Sequence, residues 1–165
     1  MPKIKLIIGP IASYKSTLTK RFALAGDIIV NDDAITTAVH GGDYTLYDSK
    51  LKPLYKSVEH QIISMALSMG RNVVIDRPNF RASTRRRYIE LARSFDMVTI
   101  GYIMTRCSPE VHAERRAKSD VRGHTMEYWL GVAKAHDALW QEPQIDEGFE
   151  KFIYIDDISN LPDLD

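Results

Sequence analysis

Nine residues near the N-terminus, Gly9-Pro10-Ile11-Ala12-Ser13-Tyr14-Lys15-Ser16-Thr17, place a glycine, a lysine and hydroxyls at a spacing suited to phosphate. An apolar run, Ile4–Ile8, precedes them and a helical pattern over Lys15–Ala25 follows. That strand–loop–helix order matters as much as the letters, because backbone N–H groups and a helix N-terminus then converge on one point and attract an anion. The stretch predicts a triphosphate cradle running from Gly9 through Ser13 and Tyr14 to Thr17. Lys15 reaches the β- and γ-phosphates and Ser16 ligates Mg²⁺, so ATP and Mg²⁺ are the expected cofactors. Tyr14 departs from the pattern, standing where a second glycine belongs. A Cβ is costly there if φ is positive, and its ring is expected to crowd the phosphates. A strand-to-helix turn that merely contains Lys-Ser-Thr is the alternative.

The elements that must position this loop are readable as an alternation. Short apolar strands are predicted at Ile4–Ile8, Asp27–Val30, Asn72–Ile75, Met97–Met104 and Phe152–Ile155. Helical patterns lie between them near Lys15–Ala25, Leu51–Met69, Ser83–Phe95, Pro109–Lys118 and Thr125–Trp140. In the third, Tyr88, Leu91, Ala92 and Phe95 share one face at i, i+3, i+4, i+7 spacing. Pro109 fits a first helical turn, with Ser108 as its cap. Strands alternating with amphipathic helices predict an α/β fold with a parallel sheet covered on both faces.

Four further segments occur in a telling order: Val30-Asn31-Asp32-Asp33, then Asn72 to Asp76-Arg77-Pro78-Asn79, then Lys118–Trp129, then Trp140–Phe149. Together with the phosphate loop, over roughly residues 3 to 156, they resemble the polynucleotide 5′-kinase family, especially the kinase half of polynucleotide kinase–phosphatases. The resemblance implies a P-loop NTPase-type three-layer fold, a five-stranded parallel sheet in the order 2-3-1-4-5, and a helical lid at about 115–128 of one kinase domain spanning 1–165.

By the same resemblance Asp33 is the catalytic base, with Asp32 the alternate if the register slips by one. A carboxylate at the C-terminal end of a strand beside the loop suits this role on physical grounds as well, although either Asp equally suits a helix cap. Asp76 matches an aspartate that holds Mg²⁺ through water or orients the acceptor; Arg77 belongs to the same segment, and Asn79 is expected to fix that loop. Arg122 matches a lid arginine that closes over ATP, with Arg115 or Arg116 also in reach; a solvated helix face is the other account of each. Two positions depart from the family: Thr36 stands where an arginine grips the acceptor phosphate, and Asp32 replaces an arginine. The cluster Arg81, Arg85, Arg86, Arg87 and Arg93 is expected to supply acceptor contacts instead, unless it is the outer face of a helix.

The implied reaction is transfer of the γ-phosphate to a polynucleotide hydroxyl, either a 5′-OH end or a hydroxyl on a modified base of DNA. A small nucleoside or other metabolite is the second possibility, and an ATP-binding module without transfer activity the third. Tyr44 and Tyr47 are candidates for stacking on a base.

Composition narrows the setting. Twenty-two basic residues balance 22 acidic ones, so any nucleic-acid binding must rest on a local patch. Cys107 is the only cysteine, which excludes an intramolecular disulfide; a buried, inert thiol in a reducing cytoplasm is expected. His40, His60, His112, His124 and His136 lack metal-ligand spacing, and Trp129 and Trp140 are expected to pack in the core. No apolar run approaches a bilayer span, and no repeat or signal peptide is expected. The tail Asn160–Asp165 is expected to fray.

Overall fold

A computed structural model describes residues 1–156. The tail expected to fray, Asn160–Asp165, lies outside them. Five strands, β1 (Lys3–Ile8), β2 (Ile28–Asn31), β3 (Val73–Asp76), β4 (Val98–Met104) and β5 (Lys151–Ile155), form one parallel sheet in the order β2-β3-β1-β4-β5. The helices are α1 (Lys15–Leu24), α2 (Asp32–Val39), α3 (Lys52–Ser68), α4 (Ala82–Arg93), α5 (Pro109–Ser119) and α6 (Met126–Ala138). The order expected from the family resemblance is the order observed.

Side-chain alternation along β1 splits the interior into two layers. Ile4, Leu6 and Ile8 face one side with Val73 and Ile75, where Ile63 and Leu67 of α3 and Tyr88, Ile89 and Ala92 of α4 cover them. Ile7 faces the other side with Val74, Ile100 and Tyr102, covered by Leu18 and Phe22 of α1. A strand buried on both faces reads as a continuous apolar run, which is why the central strands were legible. Lys5 interrupts the run in β1 and is buried; its ammonium is 2.7 Å from Asp27 and lies over the Phe22 ring. Ala113 of α5 packs with Trp129 and Ala133 of α6, so these two helices form a separate apolar contact beside the sheet.

Four expectations need correction. The helix α2 has no counterpart in the predicted elements. Its eight residues include four β-branched or acidic side chains of modest helix propensity in the first five, and its stability comes from Asn31, whose Oδ1 caps Ala34 N at 3.0 Å, and from burial of Ile35. Helix α6 ends at Ala138, so Trp140 follows it rather than closing it; half-buried, it still packs against the core as expected, with Arg106 over its ring. Cys107 is likewise only partly buried.

Arg85 is the fourth correction. Expected to meet an acceptor phosphate, it is instead wholly buried. Its Nε and Nη2 donate to the two carboxylate oxygens of Glu147 at 2.9 and 2.6 Å, and its Nη1 donates to Asn79 O at 3.0 Å. A wholly buried fork held by a carboxylate and a carbonyl presents no donor face to substrate. Arg85→Ala leaves Glu147 unpaired in the interior and is expected to cost about 3–5 kcal/mol. Thermal denaturation should show it as a fall of roughly 6–20 °C in Tm. A variant as stable as the parent would mean that Arg85 is not held this way.

Candidate active site

The phosphate loop leaves β1 at Gly9, where a Cβ would lie 2.7 Å from Ser13 Oγ and 2.8 Å from Met104 Cβ; only glycine fits. Gly9 N donates to Pro78 O at 3.0 Å, tying the loop to the turn after β3. Ser13 Oγ donates to Pro10 O at 2.8 Å, and Lys15 Nζ donates to the same carbonyl, so Lys15 folds back across the loop it serves. Burial lowers the Lys15 pKa to about 8, against a partial rise from Asp76. Ser16 is exposed in the first turn of α1.

Tyr14 has φ 63°, the left-handed conformation that favours glycine, and Ala12 has φ 49°. The loop therefore does require positive φ, at a cost of about 1–2 kcal/mol for a non-glycine residue. The Tyr14 ring is half exposed and lies under the Arg115 guanidinium, 5.0 Å from its centroid. With Ser13, Thr105 and Asp156 these two residues border a cavity of about 220 Å³.

Asn31 and Asn79 set the opposite wall. Asn31 Nδ2 donates to Asp76 O at 3.1 Å and to Asp76 Oδ2 at 3.3 Å while its Oδ1 caps α2, so one amide fixes Asp76 and the helix carrying Asp32 and Asp33. Asn79, buried with φ 50°, donates to Ile7 O at 2.8 Å and to Arg77 O at 3.1 Å. It pins β1 to the turn after β3. Burial raises the Asp76 pKa, opposed by the Lys15 charge and by hydrogen bonds from Asn31 and Thr19. Asp76 is thus the carboxylate nearest in effect to the P-loop lysine.

The two aspartates of α2 differ. Asp32 pairs with Arg77 at 2.6 Å, and Arg77 also donates to Glu59 and to the Tyr88 hydroxyl, both at 3.1 Å. Burial nonetheless raises the Asp32 pKa, with Arg77 lowering it and Asp33 adding to the rise. Asp33 is exposed and its carboxylate faces the Tyr44 hydroxyl. Both line a cavity of about 550 Å³ with Thr36, Tyr44, Tyr47, Arg77 and Arg81. Thr36 is buried in its wall.

The arginine cluster after β3 divides by role. Arg81 is exposed at the cavity, Arg87 bonds to Glu59, Arg86 and Arg93 are exposed, and Arg85 is interior. In the expected lid, Arg122 reaches across to Tyr44, its guanidinium 4.7 Å from the ring centroid. Arg116 packs on Trp129 at 4.5 Å. Asp120 organises this turn by accepting from Arg122 N, His124 N, His124 Nδ1 and Trp129 Nε1 at 2.8–3.2 Å. Burial works to raise its pKa, but those four hydrogen bonds outweigh it and hold the carboxyl at about 2.

Residues that sequence reasoning passed over are Lys52, Tyr55, Lys56 and Glu59 of α3, all lining the larger cavity. Their i, i+3, i+4, i+7 spacing was the available signal: a stripe that continues, toward the N-terminus of α3, the face on which Glu59, Ile63, Ala66 and Leu67 are buried. Tyr55 stacks on Tyr47 (5.8 Å, 26°), which in turn stacks on Tyr44 (6.3 Å, 17°). Among the described residues no three His, Cys, Asp or Glu side chains converge on a metal site. The Ser16 hydroxyl and the Asp76 carboxylate are nonetheless the hard oxygen donors that suit Mg²⁺, which takes few protein ligands and completes its shell with phosphate and water.

Sheet order, glycine-led loop, lysine and helix start define a P-loop NTPase-type kinase fold. The chain belongs to the AAA domain family, which it matches over residues 4–137. It is similar in structure to a gluconokinase from Sinorhizobium meliloti 1021, with TM-score 0.57 and 21% identity over 94% of this chain and 82% of that one. Similar too is Kti12 from Chaetomium thermophilum, in complex with ADP-AlF3, with TM-score 0.58 and 13% identity over 95% and 90%. A chain of the Pnkp1/Rnl/Hen1 RNA repair complex aligns with TM-score 0.64 and 16% identity; the match covers 85% of this chain and 46% of that one. Likeness at these identities is likeness of fold. The polynucleotide kinase family is therefore one relation among several, and the fold implies nucleotide binding without specifying the acceptor. No curated protein matches the chain in sequence. Among the described residues no helix is long and apolar enough to cross a membrane.

Proposed function

We propose that the protein transfers the γ-phosphate of ATP to a hydroxyl of a nucleic-acid acceptor seated in the cavity beside α2. The observation that carries this reading is the convergence on one 550 Å³ space of Asp33, the stacked Tyr44, Tyr47 and Tyr55, and the cations Lys52, Lys56 and Arg81. Aromatic faces suit a base, and a basic rim suits phosphates.

Lys15 and the loop amides hold the triphosphate, Ser16 and Asp76 hold Mg²⁺, and Arg115 flanks the nucleotide. When bound, Mg²⁺ neutralises charge between the β- and γ-phosphates. Asp33 accepts the proton of the attacking hydroxyl, leaving Asp32 committed to Arg77. Arg122, in a lid over about 115–128, meets the charge that develops on the transferring group.

A second reading, a small hydroxyl compound, is favoured by the sequestration of Arg85 and by the sharing of Arg77 between two carboxylates, which together remove two of the cations a polymer would use. Labelled ATP offered with 5′-OH oligonucleotides, DNA carrying hydroxymethylated bases and free nucleosides separates the two. The expected result is label on a polymer, with the acceptor KM rising steeply with salt while the KM for ATP changes less. Lys56→Ala and Arg81→Ala should each flatten that slope by about one unit. Rapid labelling of a nucleoside without salt dependence, with oligonucleotides untouched, replaces the first reading by the second.

A further inference from the structure

Tyr44 stands where three parts of the molecule meet. It opens a single 3₁₀ turn, Tyr44–Leu46, that is fixed locally: Asp43 Oδ1 accepts from Thr45 N at 2.9 Å and from Thr45 Oγ1 at 2.6 Å. From that turn its hydroxyl faces Asp33 of α2 in the wall of the shared cavity, and its ring receives the Arg122 guanidinium at 4.7 Å. The ring also stacks on Tyr47, which stacks on Tyr55 of α3. The foot of this stack is anchored in turn, since the Tyr55 hydroxyl meets His40 Nε2 at 2.7 Å and Asp48 N at 3.2 Å.

Each contact has a chemical consequence. Asp33 lies on an exposed first turn, where a carboxylate samples several rotamers; a donor held by a rigid phenol selects one of them. Arg122 follows a turn held by Asp120 and would otherwise extend into solvent. An aromatic face gives a guanidinium a seat without neutralising it, unlike a carboxylate. The phenol stays a donor at working pH, because burial and then the Asp33 charge push its pKa above its ordinary 10.

We propose that Tyr44 is a positioning residue for phosphoryl transfer, its hydroxyl orienting the Asp33 carboxylate and its ring seating Arg122 over the reaction centre. The proton acceptor and the lid cation are then set by one side chain, and lid closure is coupled to an ordered acceptor loop. This rests on the reading of Asp33 and Arg122 given above, and the test distinguishes the two.

The measurement is total turnover of γ-labelled ATP, to a 5′-OH oligonucleotide or to water, for the parent and for Asp33→Asn, Tyr44→Phe, Tyr44→Leu and Arg122→Ala. Tyr44→Phe keeps the ring and loses the donor: turnover should fall about tenfold with the KM for ATP unchanged. Tyr44→Leu also loses the seat and should fall a further 2–5-fold. In an Arg122→Ala background that second step should vanish, a coupling that general loosening of the loop would not produce. Tyr44→Phe within twofold of the parent while Asp33→Asn is inactive overturns the orienting role and leaves the kinase reading standing. A Phe-to-Leu step that persists without Arg122 overturns the seating role. Full turnover by Asp33→Asn, or none by the parent, sinks the underlying reading and this inference with it.

Discussion

Lys15→Ala is expected to reduce phosphoryl transfer by at least about 10²-fold, the scale of losing one preorganised cation or donor from a charged transition state. The fold should survive. Lys15 bonds to a loop carbonyl rather than to core, and burial already disfavours its charge, lowering its pKa to about 8 from 10.5. The sign follows from linkage: between pH 8 and 10.5 the unfolded chain binds the extra proton, so the charged lysine costs the empty protein stability below pH 8, and that cost fades as pH rises. Lys15→Ala should therefore have a Tm at pH 7 equal to or above the parent's. Phosphate reverses the preference, since a bound triphosphate favours the ammonium. ATP affinity should consequently weaken by up to tenfold per pH unit above pH 8, with proton uptake on binding measurable by calorimetry in buffers of different ionisation enthalpy. Lys15→Arg, charged throughout, should show no such decline between pH 8 and 10. Transfer within a few fold of the parent by Lys15→Ala would remove the phosphate-loop assignment.

Asp33→Asn should lower kcat by roughly 10²–10⁴ with little change in ATP affinity, as expected when a general base is lost from an otherwise intact site. Asp32→Asn should act differently. Asp32 is held by Arg77, which is itself held by the buried Glu59, so its loss frees a cation at the cavity wall rather than removing a proton acceptor. A several-fold fall in the KM of a phosphate-bearing acceptor with kcat nearly maintained is the expected pattern. Single-turnover rates at saturating ATP separate the two variants most cleanly. Equal losses, or the larger loss from Asp32→Asn, would shift the base by one residue and turn Asp33 into a lid contact through Tyr44.

Much of this site was visible in residue order. The phosphate loop is legible because its chemistry is local: a glycine, a lysine and a serine within eight residues, between an apolar run and a helix start. The strands were legible because burial on both faces leaves little but Val and Ile. Asn31 and Asp33 could be placed at or just after the end of β2, and Asp76 at the end of β3, for the same reason, and the sheet order β2-β3-β1-β4-β5 then brings these two ends beside the loop.

Arg85 shows a signal present but misread. Residues 85, 88, 89 and 92 fall at i, i+3, i+4, i+7 and are the buried face of α4, so its own spacing put Arg85 inside. What spacing could not supply was Glu147, 62 residues on, and a buried arginine without a carboxylate is too costly to assume. The meeting of Asp33, Tyr44 and Arg122 is of the same kind. Local pattern determined the loop, the strands and the chemical types available; the closing of long chain segments decided which of them touch. Such contacts are bought with chain entropy and repaid by burial elsewhere, in the two apolar layers on either side of β1, so no periodicity near residues 33, 44 or 122 records them.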